Sequence, residues 1–202
     1  MEEARDLNLE IFNCNKCEEA SKYRAYPMPG FYGKYCHNNV AIIAQNPGLP
    51  NATQKSKAWK FEEIDDDYLI GLANSPVGEF LLQLLPFDLD YALYTNVVKC
   101  AFPSRYKIDK ELPICHEYLK KQLEIVDPRI IICIGAPALS YFLPEANLTK
   151  ASLTSTVVGR GIVIPVFHPS YLNRMSEEEK VTYLKKANSA LASLVEDIGL
   201  EK

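Results

Sequence analysis

Four short apolar runs, each of strand length and each separated from the next by residues with helical spacing, most constrain the fold. They are Val40-Ala41-Ile42-Ile43-Ala44, Tyr91 to Val97, Ile130-Ile131-Ile132-Cys133-Ile134, and Ile162 to Phe167. Runs this short and this continuously apolar read as strands covered on both faces. Between them, Gly78 to Leu85 reads as a short apolar helix. Glu111 to Val126 gathers Cys115, Leu119, Gln122, Leu123 and Val126 on one side, with Lys120 and Lys121 among its polar positions. Ser176-Glu177-Glu178-Glu179 has the form of a capping box, and the helix behind it repeats apolar residues at Leu184, Ala187, Leu191 and Leu194. Strands alternating with helices predict an α/β domain with a largely parallel sheet between helical layers. No repeat or low-complexity linker interrupts the pattern, so residues 1–202 read as one domain. The polar, irregular stretch from Pro50 to Pro76 is a candidate flap.

With 202 residues, 48% of them hydrophobic and 24% charged, the chain can bury a sizeable core. No run approaches the roughly 20 apolar residues of a membrane helix. The opening MEEARDLNLE is acidic and has no apolar stretch of the kind a secretory signal carries. A cytoplasmic protein with no membrane partner is expected. The net charge of −4 argues mildly against nucleic acid as a partner, but distribution matters more than the sum. Acidic blocks stand at Asp65-Asp66-Asp67 and Glu177-Glu178-Glu179. Basic runs stand at Lys55, Lys57 and Lys60 and at Lys99, Arg105, Lys107 and Lys110. Each basic run is either a phosphate-facing patch or a set of solvated surface lysines.

An open parallel sheet binds ligands beyond the carboxyl ends of its strands. Three of the four runs end in polar residues there: Gln45-Asn46-Pro47-Gly48 after the first, Thr95-Asn96 in the second, and His168-Pro169-Ser170 after the fourth. In this architecture the three ends converge on one cleft.

The six cysteines, in a chain without an export signal, are poor candidates for disulfides. Cys14 and Cys17 form a C-x2-C pair, and Cys100 and Cys115 a wider C-x14-C pair. Four thiolates suit either a structural zinc or a [4Fe–4S] cluster. The wide second pair departs from the paired close spacing of many zinc sites. Cys133, between Ile132 and Ile134, reads as core, and Cys36 as loop packing.

Taken together and in this order, Cys14/Cys17, Ala44-Gln45-Asn46-Pro47-Gly48, Thr95-Asn96-Val97-Val98-Lys99-Cys100 with Cys115, and His168-Pro169-Ser170-Tyr171-Leu172 resemble the uracil-DNA glycosylase superfamily. The likeness is greatest to its iron–sulfur branch, family 4, and runs from about Asn13 to Asn173. The resemblance implies a three-layer α/β/α fold around a central four-stranded, mainly parallel sheet. It also implies a [4Fe–4S] cluster on Cys14, Cys17, Cys100 and Cys115, and DNA containing uracil as substrate for a monomeric, monofunctional hydrolase. Two motifs depart from the family 4 pattern. Gln45 stands where that branch has Glu, and the Asn46 beside it resembles the mismatch-specific and single-strand-selective branches. Ser75-Pro76-Val77-Gly78 lacks the phenylalanine that stacks on the base.

Carried onto this chain, the resemblance makes His168 a donor to uracil O2. Asn96 is the reader of the base edge, its amide accepting from N3–H and donating to O4. Asn46 would align the attacking water, and Gln45 would offer its backbone N–H to the base and its side chain to the water. Pro47 and Gly48 shape a turn close to the ligand. In the loop behind His168, Ser170 and Arg174 face DNA, Arg174 toward a phosphate, and Leu172 wedges into the space a flipped base leaves. Trp59 or Phe61, on the lysine-rich flap, replaces the missing stacking ring. Lys99 reads as a phosphate-facing or surface residue, and His37 and His116 as surface or packing residues. Two alternatives remain: a glycosylase for another damaged base, such as hypoxanthine or mismatched thymine, and a catalytically weak iron–sulfur module that binds DNA.

Overall fold

The computed structural model describes residues 2–22, 27–47, 75–102 and 107–200. Its centre is a six-stranded sheet among these residues, in the order β1-β3-β2-β4-β6-β5. The strands are β1 (Phe31–Tyr32), β2 (Val40–Ala44), β3 (Ala92–Asn96), β4 (Ile130–Ile134), β5 (Thr156–Val158) and β6 (Gly161–Val166). The middle four, β3, β2, β4 and β6, are parallel, and they are the four strands expected from the apolar runs. The sheet is larger than expected by β1 and β5, which add antiparallel edges. Two and three residues long, and in β5 largely exposed, they carry no apolar signature.

Alternation along the central strands sends side chains to two separate cores. Val40, Ile42, Ala44, Ile130, Ile132, Ile134, Ile164 and Val166 face one side. There they meet Phe80, Leu81 and Leu84 of α3 (Pro76–Leu84) and Leu184, Ala187, Leu191 and Val195 of α8 (Glu177–Asp197). Ala41, Ile43, Leu93, Ile131, Cys133 and Val163 face the other side. They meet Cys115, Leu119 and Val126 of α4 (Leu112–Val126) and Ala138 and Leu139 of α5 (Ala136–Phe142), with the short α6 (Leu148–Ala151) packed against them. Two helical layers therefore enclose the sheet, as an all-parallel centre requires. Cys133 is fully buried, as its place in a strand predicts. Cys36 is buried in the same cluster.

The helix ends follow from their sequences. Ser176 and Glu179 close the capping box of α8 reciprocally. Ser75 caps α3 by accepting from the Gly78 amide at 3.0 Å. α4 stops at Asp127, which adopts a left-handed conformation (φ 44°).

The N-terminal α1 (Glu2–Phe12) lies outside the α4 layer, with Leu7 and Ile11 against Tyr118. Asn8 clamps it to the loop before β1, donating from Nδ2 to the Gly30 carbonyl at 2.8 Å and accepting from the Gly30 amide at 3.2 Å. This docking delivers the segment of Cys14 and Cys17, which runs on to α2 (Glu18–Lys22), to the α4 side of the sheet. Among the described residues no helix is long and apolar enough to cross a membrane.

Candidate active site at the carboxyl edge of the sheet

β2 leads on to β3 on one side of it, whereas β4 leads on to β6 on the other. Adjacent strands whose connections part in this way open a crevice at their carboxyl ends. The parallel register pairs Ala44 with Asn96, so the Gln45-Asn46-Pro47 turn and Asn96 begin side by side. Val97 donates to the Ala44 carbonyl at 2.9 Å and Val98 to the Gln45 carbonyl at 3.0 Å, which extends the pairing past the strand ends. Ile134 pairs with Val166, placing Gly135 beside the residues that lead to His168. Asn96, Gln45, Asn46, Pro47, Gly135 and His168 therefore share one edge of the sheet.

Asn96 is 2% exposed, and its side-chain Oδ1 is buried without a hydrogen-bond partner. An unpaired buried acceptor costs about 1–3 kcal/mol, so it is retained only where something else satisfies it or requires it. Asn46 is half-buried, and its Nδ2 donates to the Pro47 carbonyl at 2.9 Å, which leaves the amide oxygen directed away from that bond.

His168 caps α7, a single turn from Pro169 to Leu172. Its Nδ1 accepts from the Ser170 amide at 3.2 Å and lies 2.8 Å from the Ser170 hydroxyl. A nitrogen that accepts from a backbone N–H carries no proton, so the neutral ring holds its proton on Nε2. Burial lowers the His168 pKa and favours that neutral form. The result is an imidazole N–H fixed in orientation by the turn that follows it. Gly135, at φ 87° and ψ 170°, sits in a region that only glycine occupies freely. A Cβ there would lie 3.5 Å from the His168 Cβ.

The loop behind His168 differs from expectation at one residue. Leu172 is 1% exposed and packs in the core with α3 and α8, because the fourth residue of a one-turn helix points back toward the sheet. It is not placed to wedge between bases. Tyr171 is the exposed aromatic of this loop, and Arg174 lies 5.0 Å over its ring. Ser170 and Arg174 are exposed. Phe167, Tyr171 and Tyr183 form a stack, with centroids 4.4 Å apart for the first pair and 4.9 Å for Phe167 and Tyr183. The Tyr183 hydroxyl accepts from the Phe167 amide at 2.8 Å and so fixes the strand end that presents His168. Gly48, Trp59, Phe61 and Arg105 lie outside the described residues, as do Lys55, Lys57 and Lys60.

Lys99 is the largest departure from the sequence reading. It is neither phosphate-facing nor at the surface, but 1% exposed inside the α4 side of the sheet. Its Nζ donates to the Asn96 carbonyl at 2.6 Å, to Gln122 Oε1 at 2.6 Å and to Thr95 Oγ1 at 2.9 Å. Burial pushes the ammonium down to about 7. Three acceptors at these distances nevertheless call for three N–H groups, so the pocket is built for the charged form.

The four cysteines gather on the same side. The Lys99 amide donates to Cys115 Sγ at 3.5 Å. Cys17 and Cys100 each have their pKa raised, first by burial and then by the charges of the other cysteines of the set, Cys17 to about 11 and Cys100 to about 12. Among the described residues, no three His, Cys, Asp or Glu side chains stand at metal-holding distances. The donor set still fits a cationic centre: burial and neighbouring cysteine charge raise Cys17, Cys100 and Cys115, and thiols so placed become thiolates together only when a metal compensates their charge. His37 bonds the Ile125 carbonyl at 3.1 Å, and His116 packs edge-on to Tyr141, both in packing roles.

Sequence reasoning missed Gly135, Tyr183 and the buried setting of Lys99. Gly135 had a signal, a glycine following a strand and preceding Ala-Pro. Tyr183 had none beyond its helix.

Fold and site together define an α/β domain that brings neutral hydrogen-bonding groups, Asn46, Asn96 and His168, to the switch point of its parallel sheet. The model of the uracil DNA glycosylase superfamily matches residues 31–192, which include all six strands. The chain belongs to that superfamily. It is 25% identical to a Type-4 uracil-DNA glycosylase of Archaeoglobus fulgidus over 198 positions, covering 92% of each chain. It is 24% identical to a Type-4 uracil-DNA glycosylase of Sulfurisphaera tokodaii over 181 positions, 84% of this chain and 76% of the relative. A Type-5 uracil-DNA glycosylase of Pyrobaculum aerophilum is 28% identical over 207 positions, covering 90% and 91%.

Proposed function

We propose that this protein is a DNA repair glycosylase that hydrolyses the N-glycosidic bond of uracil in DNA, acting on a base flipped out of the stack. The observation that carries the reading is the pairing of an unsatisfied acceptor on Asn96 with a neutral imidazole on His168 at one sheet edge. A uracil edge presents N3–H and O4, which Asn96 satisfies by accepting and donating. Cytosine presents the reverse pattern and leaves the buried amide mismatched. Bond cleavage leaves negative charge on the departing base, and a preorganised N–H from His168 Nε2 at O2 stabilises it. Asn46, with Gln45 beside it, aligns the attacking water. Ser170 and Arg174 contact the DNA backbone, with Tyr171 as the exposed aromatic of the loop. A stacking ring from Trp59 or Phe61 completes the pocket.

Lys99 supports a monofunctional hydrolase. All three of its donors are engaged within the protein, so it offers no free amine for a Schiff base. We read Cys14, Cys17, Cys100 and Cys115 as holders of a [4Fe–4S] cluster that staples the N-terminal segment to β3 and α4. The cluster supplies structural cross-linking and takes no part in bond cleavage. The protein is read as a cytoplasmic monomer whose partner is DNA. A second reading, excision of a different damaged base, is favoured by Gln45 in the water-activating motif. The test is multiple-turnover base release from oligonucleotides bearing uracil, hypoxanthine or thymine opposite guanine. Release of uracil is expected. Release of only another base establishes the second reading, and release of none overturns both.

A further inference from the structure

The residues that read the base and those that gather the cysteines meet at one buried ammonium. The Asn96–Val97 peptide is held at both ends: its carbonyl accepts from Lys99 Nζ at 2.6 Å, and its N–H donates to the Ala44 carbonyl at 2.9 Å. A peptide plane fixed on both sides sets the Asn96 ψ angle and with it the direction of the side chain. The preceding residue is fixed by the same group, since Thr95 Oγ1 accepts from Lys99 Nζ and donates to Gln122 Oε1 at 2.8 Å. Lys99 is in turn held by its own backbone. Its amide bonds Cys115 Sγ, and its carbonyl accepts from the Met28 amide at 2.7 Å. Gln122 stands two turns beyond Cys115 on α4, and Gly30 passes so close that a Cβ there would meet Gln122 Nε2 at 2.6 Å.

We propose that Lys99 is a positioning residue for base recognition: its ammonium locks the Asn96 backbone so that the free Oδ1 meets the base, and it ties that lock to the cysteine-bearing segment. The inference rests on Asn96 reading the base. Burying an ammonium is costly, and an apolar core side chain is the usual solution at such a place. A charge retained there and bonded three times performs a task that packing alone does not.

The test uses the iron-replete full-length protein and two variants, Lys99→Met and the milder Thr95→Val, each alone and combined with Asn96→Ala. Lys99→Met is expected to slow single-turnover uracil excision by about tenfold or more, equivalent to about 1.4 kcal/mol. Thr95→Val should slow it a few-fold. In the Asn96→Ala background neither should slow it further, because the group they orient is gone. Amide exchange at Val97 and Val98 should quicken in both variants while the visible spectrum of the cluster is unchanged.

Full additivity of either variant with Asn96→Ala overturns the proposal, because loosened folding acts whether or not Asn96 is present. So does an unaltered exchange pattern. Loss of iron from Thr95→Val overturns it as well, since the ammonium would then serve the cysteines. If Lys99→Met does not fold, the Thr95→Val cycle decides. If the parent protein releases no uracil, the reading of its substrate fails, and the exchange measurement alone then decides whether Lys99 locks this peptide.

Discussion

Replacing Asn96 with leucine separates a side chain kept for a ligand from one kept for the fold. The residue is 2% exposed and carries a buried oxygen without a partner. That oxygen withholds about 1–3 kcal/mol from folding until a donor arrives. Leucine has nearly the same size and removes the orphan. The melting temperature should therefore hold or rise, by about 2–4 °C for each kcal/mol recovered in a chain of this length. Excision should move the other way. Losing the partners of uracil N3–H and O4 removes two hydrogen bonds, about 2–6 kcal/mol in total if each leaves a polar group unpaired. At about 1.4 kcal/mol per tenfold, the expected slowing is about 30-fold at the least. The assays are single-turnover release of uracil from a duplex oligonucleotide and thermal melting of the same preparation. A melting temperature lower by about 5 °C with excision within about twofold of the parent would refute the reasoning. Asn96 would then be a strand-end brace.

His168→Ala and Asn46→Ala should each lower single-turnover excision by about 10²-fold, the scale for a lost transition-state donor or an unaligned nucleophile, with duplex binding little changed. Because burial lowers the His168 pKa, excision should be flat from neutral pH upward and fall only below the ordinary value of about 6.5. In that lower window the unfolded chain binds the proton first, so stability also declines as pH falls and is fully present above it; a melting series against pH in the parent and in His168→Ala measures the difference. Iron-replete protein should be brown, and Cys115→Ser should lose iron and melt lower; elemental analysis showing one zinc and no iron refutes the cluster. Trp59→Ala or Phe61→Ala should weaken excision by about tenfold if a flap ring covers the base, as a stacking contact of about 1–3 kcal/mol implies. Unchanged excision in both assigns the stacking elsewhere.

The central sheet was legible because the physics of a strand covered on both faces leaves a continuous apolar run, and four such runs stand between helical patterns. The capping box of α8 was legible residue by residue, since Ser176 and Glu179 are local partners. The edge strands were not. Phe31–Tyr32 and Thr156–Val158 are too short for a period, and their pairing depends on neighbours 63 and 7 positions away in register, Tyr94 for Phe31 and Val163 for Thr156. The docking of α1 was hidden too, because Asn8 finds Gly30 only after the chain has folded.

The site divides along the same line. Asn46, Asn96 and His168 stood out because each follows or ends a strand, and parallel topology turns that shared position into proximity. Leu172 misled because an apolar residue in a loop motif suits both a wedge and a core, and only the turn of α7 decides between them. Lys99 misled for a sharper reason. A lysine beside Arg105, Lys107 and Lys110 reads as part of a basic surface, and lysine is almost never fully buried unless paired. The corrective signal lay at Gln122, a polar residue on the apolar side of its helix. An amide committed to the interior must find a partner there; of the polar side chains of β3, Tyr94 faces the other core, which leaves Thr95 and Asn96 before the chain turns at Lys99. Thr95 satisfies part of Gln122, and Asn96 keeps its oxygen free. The remaining acceptors of that corner, one of them the Asn96 carbonyl itself, therefore require a donor that is long, multivalent and near in sequence, and Lys99 is the side chain that meets all three conditions.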